Sequence, residues 1–277
     1  MAIHEASAVL KPAFMFTKPE EPPPPLIEVK PCRHGPMMYF PRDHYIGGAL
    51  RNYGEYSQLE LEIHLAYIKE GDVVVEAGAN IGSFTVPYAK RVGLAGRVVA
   101  FEPQRVIYQM LCGNLSLNGI WNTHAFQGGL GAERALLHVP PVNYTVVGNY
   151  GGVSLTQEPG EPVFIEQLDA YQLPRCDFMK IDVEGMELEV LKGADATIKA
   201  HRPVLYVEND RKEKSDALMA HLRSLGYDLY WSCPQLYNPA NFRENGENVY
   251  PDVVSINLLC LPAEKNIDRH PDTEPVE

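Results

Sequence analysis

The chain has 277 residues, of which 45% are hydrophobic and 22% charged, and its formal net charge is -12 at pH 7. This length suits one large domain or two small ones, and the composition is that of an ordinary globular protein, not of a disordered chain. The negative charge argues against nucleic acid or an anionic lipid surface as the main partner, because both repel an acidic protein.

Cysteine spacing and the N-terminal residues exclude further classes. The five cysteines are scattered without a C-x-x-C pair, so the sequence predicts neither a disulfide framework nor a zinc knuckle. The first residues lack the basic and apolar regions of a signal peptide, and no apolar run approaches the ~20 residues of a membrane span. We therefore expect a cytoplasmic protein without a membrane span. The sequence does not indicate its oligomeric state.

Composition divides the chain into three parts. Residues 1–50 are predicted to be an N-terminal extension, in which the proline-rich stretch Lys18–Leu26 cannot be helical. Residues 51–262 are predicted to form the main domain. Residues 263–277 make an acidic tail that has little to bury, and we expect it to be disordered or loosely docked.

Strand and helix patterns alternate in the main domain. The predicted strands include Val73–Ala77, Arg97–Glu102 and Val254–Leu261, and the predicted helices include Phe84–Val92 and Met186–Lys192. Strands separated by helices require right-handed crossovers, which predicts a doubly wound α/β fold with a mostly parallel sheet.

The stretch "VVVEAGANIGSF" joins the first of these strands to a helix. Gly78 and Gly82 let a ligand approach the backbone near the free amides of the helix. The dinucleotide motif G-x-G-x-x-G is not matched, because Asn80 and Ser83 replace two of its glycines, and this disfavours a nicotinamide oxidoreductase. Glu76 before the loop would attract a cation, which points to the sulfonium and ammonium groups of S-adenosylmethionine.

Acids also end two further strand patterns. Glu102 ends the second strand, where its two oxygens can accept from both hydroxyls of an adenosine ribose. Asp182 and Glu184 alternate with apolar residues in "KIDVEG", so we expect both on one face where the strand opens into a pocket. The alternative is that Lys180 pairs with one of them and that both cap the helix starting near Met186.

These stretches, with "GRVVAFEPQ", "LCGNLSLNGI", "FMKIDVEGMELEVLKGA" and "PVLYVEND", resemble the FkbM family of S-adenosylmethionine-dependent methyltransferases from about Tyr53 to Asp210. The resemblance implies a Rossmann-like class I fold whose seven-stranded sheet has an antiparallel strand near the C-terminus. It implies S-adenosyl-L-methionine as cofactor, with this predicted set of binding residues: Glu76, Gly78, Ala79, Asn80, Gly82, Glu102, Pro103 and Asp182.

The resemblance also carries less specific implications. Asn114 and Asn118 would approach the adenine side, although Asn118 fits a helix end equally well. Upstream, either Glu55 or Glu60 would lie near the cofactor.

Methyl transfer to a hydroxyl requires an aligned acceptor and a group that removes the acceptor's proton. Asp182, Glu184 and Glu208, each at the carboxyl end of a predicted strand, are the candidate catalytic residues. Asp182 with Glu208 and Asn209 also offers oxygen ligands suited to Mg²⁺. The alternative is that these groups hydrogen-bond the loop backbone and orient the acceptor.

The resemblance implies O-methylation of a hydroxyl on a glycan or a secondary metabolite as the function. An N- or carboxyl-methyltransferase on the same fold, or a non-catalytic S-adenosylmethionine-binding protein, are the alternatives. The segment at about 133–162 does not fit the strand–helix alternation and predicts an insertion of hairpins or loops. We expect this insertion to lie beside the pocket and to select the acceptor, with Tyr144 and Tyr150 as the residues to test.

Overall fold

The computed structural model describes residues 26–277, so most of the proline-rich stretch Lys18–Leu26 lies outside the described residues. The described chain begins with a hairpin of β1 (Glu28–Cys32) and β2 (Gly35–Tyr39), followed by α1 (Ile46–Tyr53) and α2 (Gln58–Tyr67). Tyr39 is fully buried in the same apolar cluster as Val74 of the main sheet. The hairpin is therefore packed into the main core.

The other strands are β3 (Val73–Ala77), β4 (Arg97–Glu102), β5 (Thr123–Gln127), β6 (Gly129–Leu130), β7 (Ala135–Val139), β8 (Glu161–Glu166), β9 (Phe178–Ile181), β10 (Val204–Glu208), β11 (Tyr227–Ser232), β12 (Asn257–Pro262) and β13 (Glu274–Pro275). The other helices are α3 (Thr85–Val92), α4 (Arg105–Leu117), α5 (Glu187–Gly193), α6 (Asp195–His201) and α7 (Lys212–Ser224). In residues 26–277, no helix has the length and apolar character needed to cross a membrane.

The main sheet has eight strands in the order β13-β11-β12-β10-β9-β3-β4-β5. The five strands from β10 to β5 are parallel, and β12 runs antiparallel to both of its neighbours. Val74 and Val75 point into different apolar clusters, so both faces of the sheet are covered. The prediction of a doubly wound α/β fold is confirmed. The antiparallel strand predicted at Val254–Leu261 begins later, at Asn257.

The eighth strand, one more than expected, comes from the C-terminal tail. Pro275 pairs with Tyr230 of β11, and the Val276 amide donates to the Leu229 carbonyl at 3.0 Å. Thr273 is only 1% exposed. The tail at 263–277, expected to be disordered or loosely docked, is therefore ordered against the sheet. The unpaired backbone groups of β11 at the sheet edge provide the partners that the composition of the tail does not reveal.

The segment predicted as an insertion at about 133–162 contains β7 and the start of β8. These two strands are antiparallel, and β6 pairs with β8 to complete a small three-stranded sheet. The residues between β7 and β8 form a long loop that returns to the N-terminal segment, where Gly148 pairs with Asp43. The loop thereby lies across the carboxyl end of the main sheet.

Candidate active site

A cavity of about 640 Å³ opens at the carboxyl ends of β3, β4, β9 and β10. This is the place where open α/β sheets bind their ligands, and the volume is ordinary for a small-molecule site. Acidic side chains outnumber basic ones in its lining: Glu60, Glu102, Asp182, Glu184, Glu208 and Asp210. The lining cations are Lys180 and Arg211. The cavity therefore favours a ligand that carries positive charge.

The loop after β3 forms one wall of this cavity. Gly78 has φ +86°, and a Cβ at this position would lie 1.8 Å from the Asp182 carbonyl oxygen. Asn80, at φ +49°, is also left-handed. Gly78, Ala79 and Asn80 line the cavity, whereas Gly82 is not among its lining residues. A Cβ at Gly82 would instead meet the Leu111 side chain at 2.8 Å, so Gly82 serves packing against α4.

Glu102 holds the neighbouring strand end in a fixed arrangement. Its two carboxylate oxygens accept from the backbone amides of Asn80 at 2.9 Å and Gln104 at 2.8 Å. The side chain is 3% exposed, and burial raises the pKa of Glu102 to about 7. Glu102 and Pro103 both line the cavity, and Gln104 lies beside them. Each oxygen keeps a lone pair with which to accept from a ligand hydroxyl.

Glu76 lies below the cavity and does not line it. Its side chain is 0% exposed, and one oxygen accepts from Thr85 Oγ1 at 2.6 Å. The other oxygen has no hydrogen-bond partner within residues 26–277, and burial raises the pKa of Glu76 to about 8. The prediction that Glu76 contacts the cofactor directly thus lacks support from its position, because the residue points into the protein beside Lys180 of β9.

The three candidate catalytic carboxylates all line the cavity, in different surroundings. Asp182 lies 2.7 Å from the Lys180 ammonium, which is the pairing considered as an alternative from the sequence. Glu184, in a left-handed conformation, pairs with Arg211 at 2.7 Å, and burial raises the pKa of Glu184 to about 7. Burial and the neighbouring Asp182 raise the pKa of Glu208 well above its usual range.

The cap of α5 comes from another residue. Glu187, which starts that helix, accepts from the backbone amides of Val183 and Gly185. Asp182 and Glu184 consequently have no capping role there, and their side chains face the cavity.

The magnesium prediction is not supported. In the part of the chain that the structure describes, no group of three or more His, Cys, Asp or Glu side chains is placed to hold a metal ion. Asp182 is paired with Lys180, and the Asn209 amide donates to Ser215 Oγ at 2.9 Å. Asn209 is therefore committed to the start of α7, and a cation already neutralises Asp182.

The two acids considered upstream, Glu55 and Glu60, lie in different places. Glu60 of α2 lines the cavity and accepts from Ser57 and Ser255, whereas Glu55 lies elsewhere and pairs with Arg33 at 2.5 Å. Asn114, expected near adenine, is fully buried and binds the backbone of Met38 and Ile81 instead.

Asn118 behaves as the helix end that was its alternative. It is the residue after α4, and its side chain binds the Pro36 carbonyl and Lys90. Neither Asn118 nor Asn114 lines the cavity.

The insertion reaches the cavity through residues other than those expected. Asn149, Gly151, Gly152, Val153 and Leu155 supply its contribution to the lining. Tyr150 is 3% exposed, and its hydroxyl donates to backbone carbonyls of its own loop. Tyr144 stacks on Phe40. The two tyrosines therefore shape the loop and do not line the cavity.

Sequence reasoning missed several lining residues. Gln104 is buried, and its side-chain amide donates to the Tyr150 carbonyl at 2.9 Å, which ties the insertion to the loop after β4. Arg211 and Ser255 also line the cavity. Gln104 and Arg211 each come shortly after an acid that ends a strand pattern, and this position in the sequence could have indicated that they line the cavity. No pattern marks Ser255.

Comparisons with known proteins agree with this geometry. Residues 76–229 match the methyltransferase FkbM domain. The chain is 31% identical over 154 residues to "Methyltransferase 1" of Beauveria bassiana (strain ARSEF 2860), which covers 47% of this chain and 61% of that protein. It is 32% identical over 165 residues to "Methyltransferase sdnD" of Sordaria araneosa, which covers 47% and 63% respectively. The chain thus spans less than two thirds of the length of these relatives.

A solved structure shows the same fold. The precorrin-6y C5,15-methyltransferase from Geobacter metallireducens GS-15 aligns with a TM-score of 0.50 and 13% identity, over 73% of this chain and 87% of that one. The family match covers more than half of the 277 residues and includes the glycine loop, Glu102 and Asp182. On these grounds, the chain belongs to the FkbM methyltransferase domain family.

Proposed function

We propose that the protein uses S-adenosyl-L-methionine to methylate a hydroxyl group of a small molecule or glycan. The observation that carries this proposal is the cavity at the sheet's carboxyl end, where the Gly78–Asn80 loop meets Glu102 in an acidic lining. The relatives named above are both called methyltransferases. The cytoplasmic location and the absence of a nucleic-acid partner stay predictions.

The lining residues fit such a cofactor. Glu102 has oxygens free to accept from ribose hydroxyls, and the loop at Gly78 leaves no room for a Cβ beside the Asp182 carbonyl. Bound there, S-adenosylmethionine supplies a methyl group already activated by a sulfonium. The acidic lining favours that positive charge, whereas a pyrophosphate would be repelled.

Among the three carboxylates, Asp182 is the best placed to take the acceptor's proton. Asp182 and Glu184 each pair with a cation, but the Glu184 side chain is the less exposed of the two, at 23%. The raised pKa of Glu208, caused by burial, keeps that residue protonated near neutral pH. A protonated carboxyl cannot act as a base. Asp182 remains, with its side chain 37% exposed, and its backbone packs against the loop at Gly78.

Replacement of Asp182 by Asn tests this assignment. We expect turnover to fall by about 10²–10⁴-fold, the usual contribution of a general base, while cofactor affinity changes less. The assay combines S-adenosylmethionine with a panel of simple glycosides and phenols and detects methyl ethers by mass spectrometry. Asp195→Asn, at an exposed carboxylate paired with Lys199, is the control and should behave as wild type.

Other products would contradict the proposal. If probes with amino or carboxyl groups gave methylated amines or esters and no probe gave an ether, the activity would be N- or carboxyl-methylation instead. S-adenosylmethionine that binds without turnover of any probe would favour a non-catalytic binding protein.

Affinity for S-adenosylmethionine should increase with pH. Below a pKa of about 7, raised by burial, Glu102 is protonated and neutral in the free protein, and a cationic ligand favours its ionised form. Binding therefore releases protons, and by linkage the ligand binds more tightly as pH rises. We expect several-fold tighter binding at about pH 8 than at about pH 6 by calorimetry. Glu102→Gln should show a smaller pH dependence, and equal dependence in both proteins would refute the assignment.

The acceptor is expected to contact the insertion loop. Val153 and Leu155 line the cavity together with Met186, which gives this side an apolar surface beside the carboxylates. We propose that these residues, in place of Tyr144 and Tyr150, discriminate between acceptors.

A further inference from the structure

Lys180 is a buried cation in the central strand β9, and the proposed function gives it no chemical role. Lys180 is 2% exposed, and it is one of the residues that line the cavity. The ammonium lies 5.1 Å from the centre of the Phe84 ring and 2.7 Å from Asp182 Oδ2. Lysine is almost never buried to this degree unless its charge is paired. Its placement within β9 at the wall of the cavity is therefore informative about what the cavity binds.

The ammonium has donors to spare. It carries three N–H groups, and within residues 26–277 it makes one hydrogen bond, to Asp182. The nearby carboxylates do not take the other two in the described residues: neither Glu76, which keeps one oxygen without a partner, nor Glu60 is within hydrogen-bond distance of the ammonium. Two N–H groups of a buried ammonium at a cavity floor are thus left for an acceptor atom of a ligand.

The surroundings keep Lys180 charged. Burial alone would lower its pKa, but Asp182, Glu60 and Glu76 outweigh burial and raise the pKa of Lys180. Other titratable groups near it include Tyr206, which pairs with Lys180 in the register of β10 and β9, and His64 of α2, which packs against Tyr206. Burial lowers the pKa of His64 far below its usual range, so His64 is neutral and adds no positive charge.

We propose that Lys180 is a catalytic residue whose free N–H groups donate to the oxygen of the acceptor hydroxyl while Asp182 takes that hydroxyl's proton. The O–H bond breaks, its electron pair stays on the acceptor oxygen, and the proton ends on the Asp182 carboxylate. Lys180 keeps its three protons and stabilises the negative charge that forms on the oxygen. This inference rests on the proposed function, since it concerns the same acceptor.

A chromogenic alcohol tests the inference without turnover. p-Nitrophenol absorbs differently as phenol and phenolate, so its ionisation inside the cavity can be followed by a pH titration in the presence of S-adenosylhomocysteine. We expect the apparent pKa of the bound probe to be about 1–3 units lower in wild type than in Lys180→Met, the shift that a charge within ~4–6 Å produces. Lys180→Arg should retain part of the shift. Lys192→Met, the same change at an exposed lysine, should match wild type.

The possible results test the role of Lys180 and the proposed function separately. An unchanged probe pKa in Lys180→Met, or a probe that stays fully phenolic in wild type, would overturn the role of Lys180. Failure of S-adenosylhomocysteine to bind wild type would instead overturn the proposed function. If Lys180→Met does not fold, Lys180→Met combined with Glu76→Gln removes the buried opposing charge as well, and the same titration applies to it.

Discussion

Replacement of Gly78 by Ala should destabilise the protein by about 2–5 kcal/mol and abolish cofactor binding. A positive φ costs about 1–2 kcal/mol for an L side chain, and overpacking adds about 1–3 kcal/mol. Both apply here, because Gly78 has φ +86° and its Cβ would lie 1.8 Å from the Asp182 carbonyl oxygen. Relief of that overlap must separate the ends of β3 and β9, which form the cavity wall. Urea denaturation and calorimetric titration with S-adenosylhomocysteine measure the two effects.

Gly71 supplies a matched control. Its φ of +83° is nearly the same, but no atom lies within 4 Å of the added Cβ. Gly71→Ala should therefore lose only about 1–2 kcal/mol and bind the ligand normally. Equal losses in the two variants would show that conformation alone, and not the contact between Gly78 and Asp182, sets the requirement for glycine.

Glu102→Gln should weaken S-adenosylhomocysteine binding by about 10–100-fold, because a hydrogen bond to a charged group contributes about 1.5–3 kcal/mol. An amide presents one acceptor oxygen where the carboxylate presents two. It therefore loses either the backbone bond to Asn80 or the one to Gln104, in addition to a ribose hydroxyl. Calorimetric titration of both proteins gives the ratio of dissociation constants.

The variant Glu184→Gln distinguishes the hydrogen bonds that Glu102 makes from the effect of the cavity's negative charge as a whole. Burial raises the pKa of Glu184 to about 7, as it does for Glu102, and both residues line the cavity. If Glu102 acts through the ribose hydroxyls, the Glu184 variant should bind within a few-fold of wild type. Comparable weakening in the two variants would mean that the acidic field, and not the bidentate contact, governs affinity.

The strand ends and the glycine loop were predictable because their signals are local. The predicted stretches Val73–Ala77 and Arg97–Glu102 are as long as the strands they form, and each carries an acid at or next to its end, Glu76 in the first and Glu102 in the second. Parallel strands bring their carboxyl ends to one edge, so Gly78, Glu102 and Asp182 were expected together and do lie around one cavity.

The direction of a side chain at the end of a strand was less predictable. Glu76 precedes the loop in the sequence, yet its alternation within β3 turns it into the core beside Lys180. Asn114 looked like a polar residue available to adenine, but its amide satisfies the backbone of Met38 and Ile81. Both outcomes depend on partners distant in sequence, which a single chain does not reveal.

Long-range pairing explains the remaining differences. The tail joins β11 through Pro275 although its own composition predicts disorder, because the edge of an existing sheet supplies partners. The insertion reaches the cavity because Gly148 pairs with the N-terminal segment at Asp43. That pairing fixed which loop residues face the cavity, and it placed Tyr150 in the core of the loop instead.

The central claim is that the cavity binds S-adenosylmethionine, and calorimetric titration of that compound into the wild-type protein tests it most directly. We expect one site with a dissociation constant on the order of micromolar, equivalent to about -8 kcal/mol. Reduced nicotinamide dinucleotide should not bind, because its pyrophosphate would face the acidic lining near Glu102 and Asp182. No heat with S-adenosylmethionine, or tighter binding of the dinucleotide, would contradict the account.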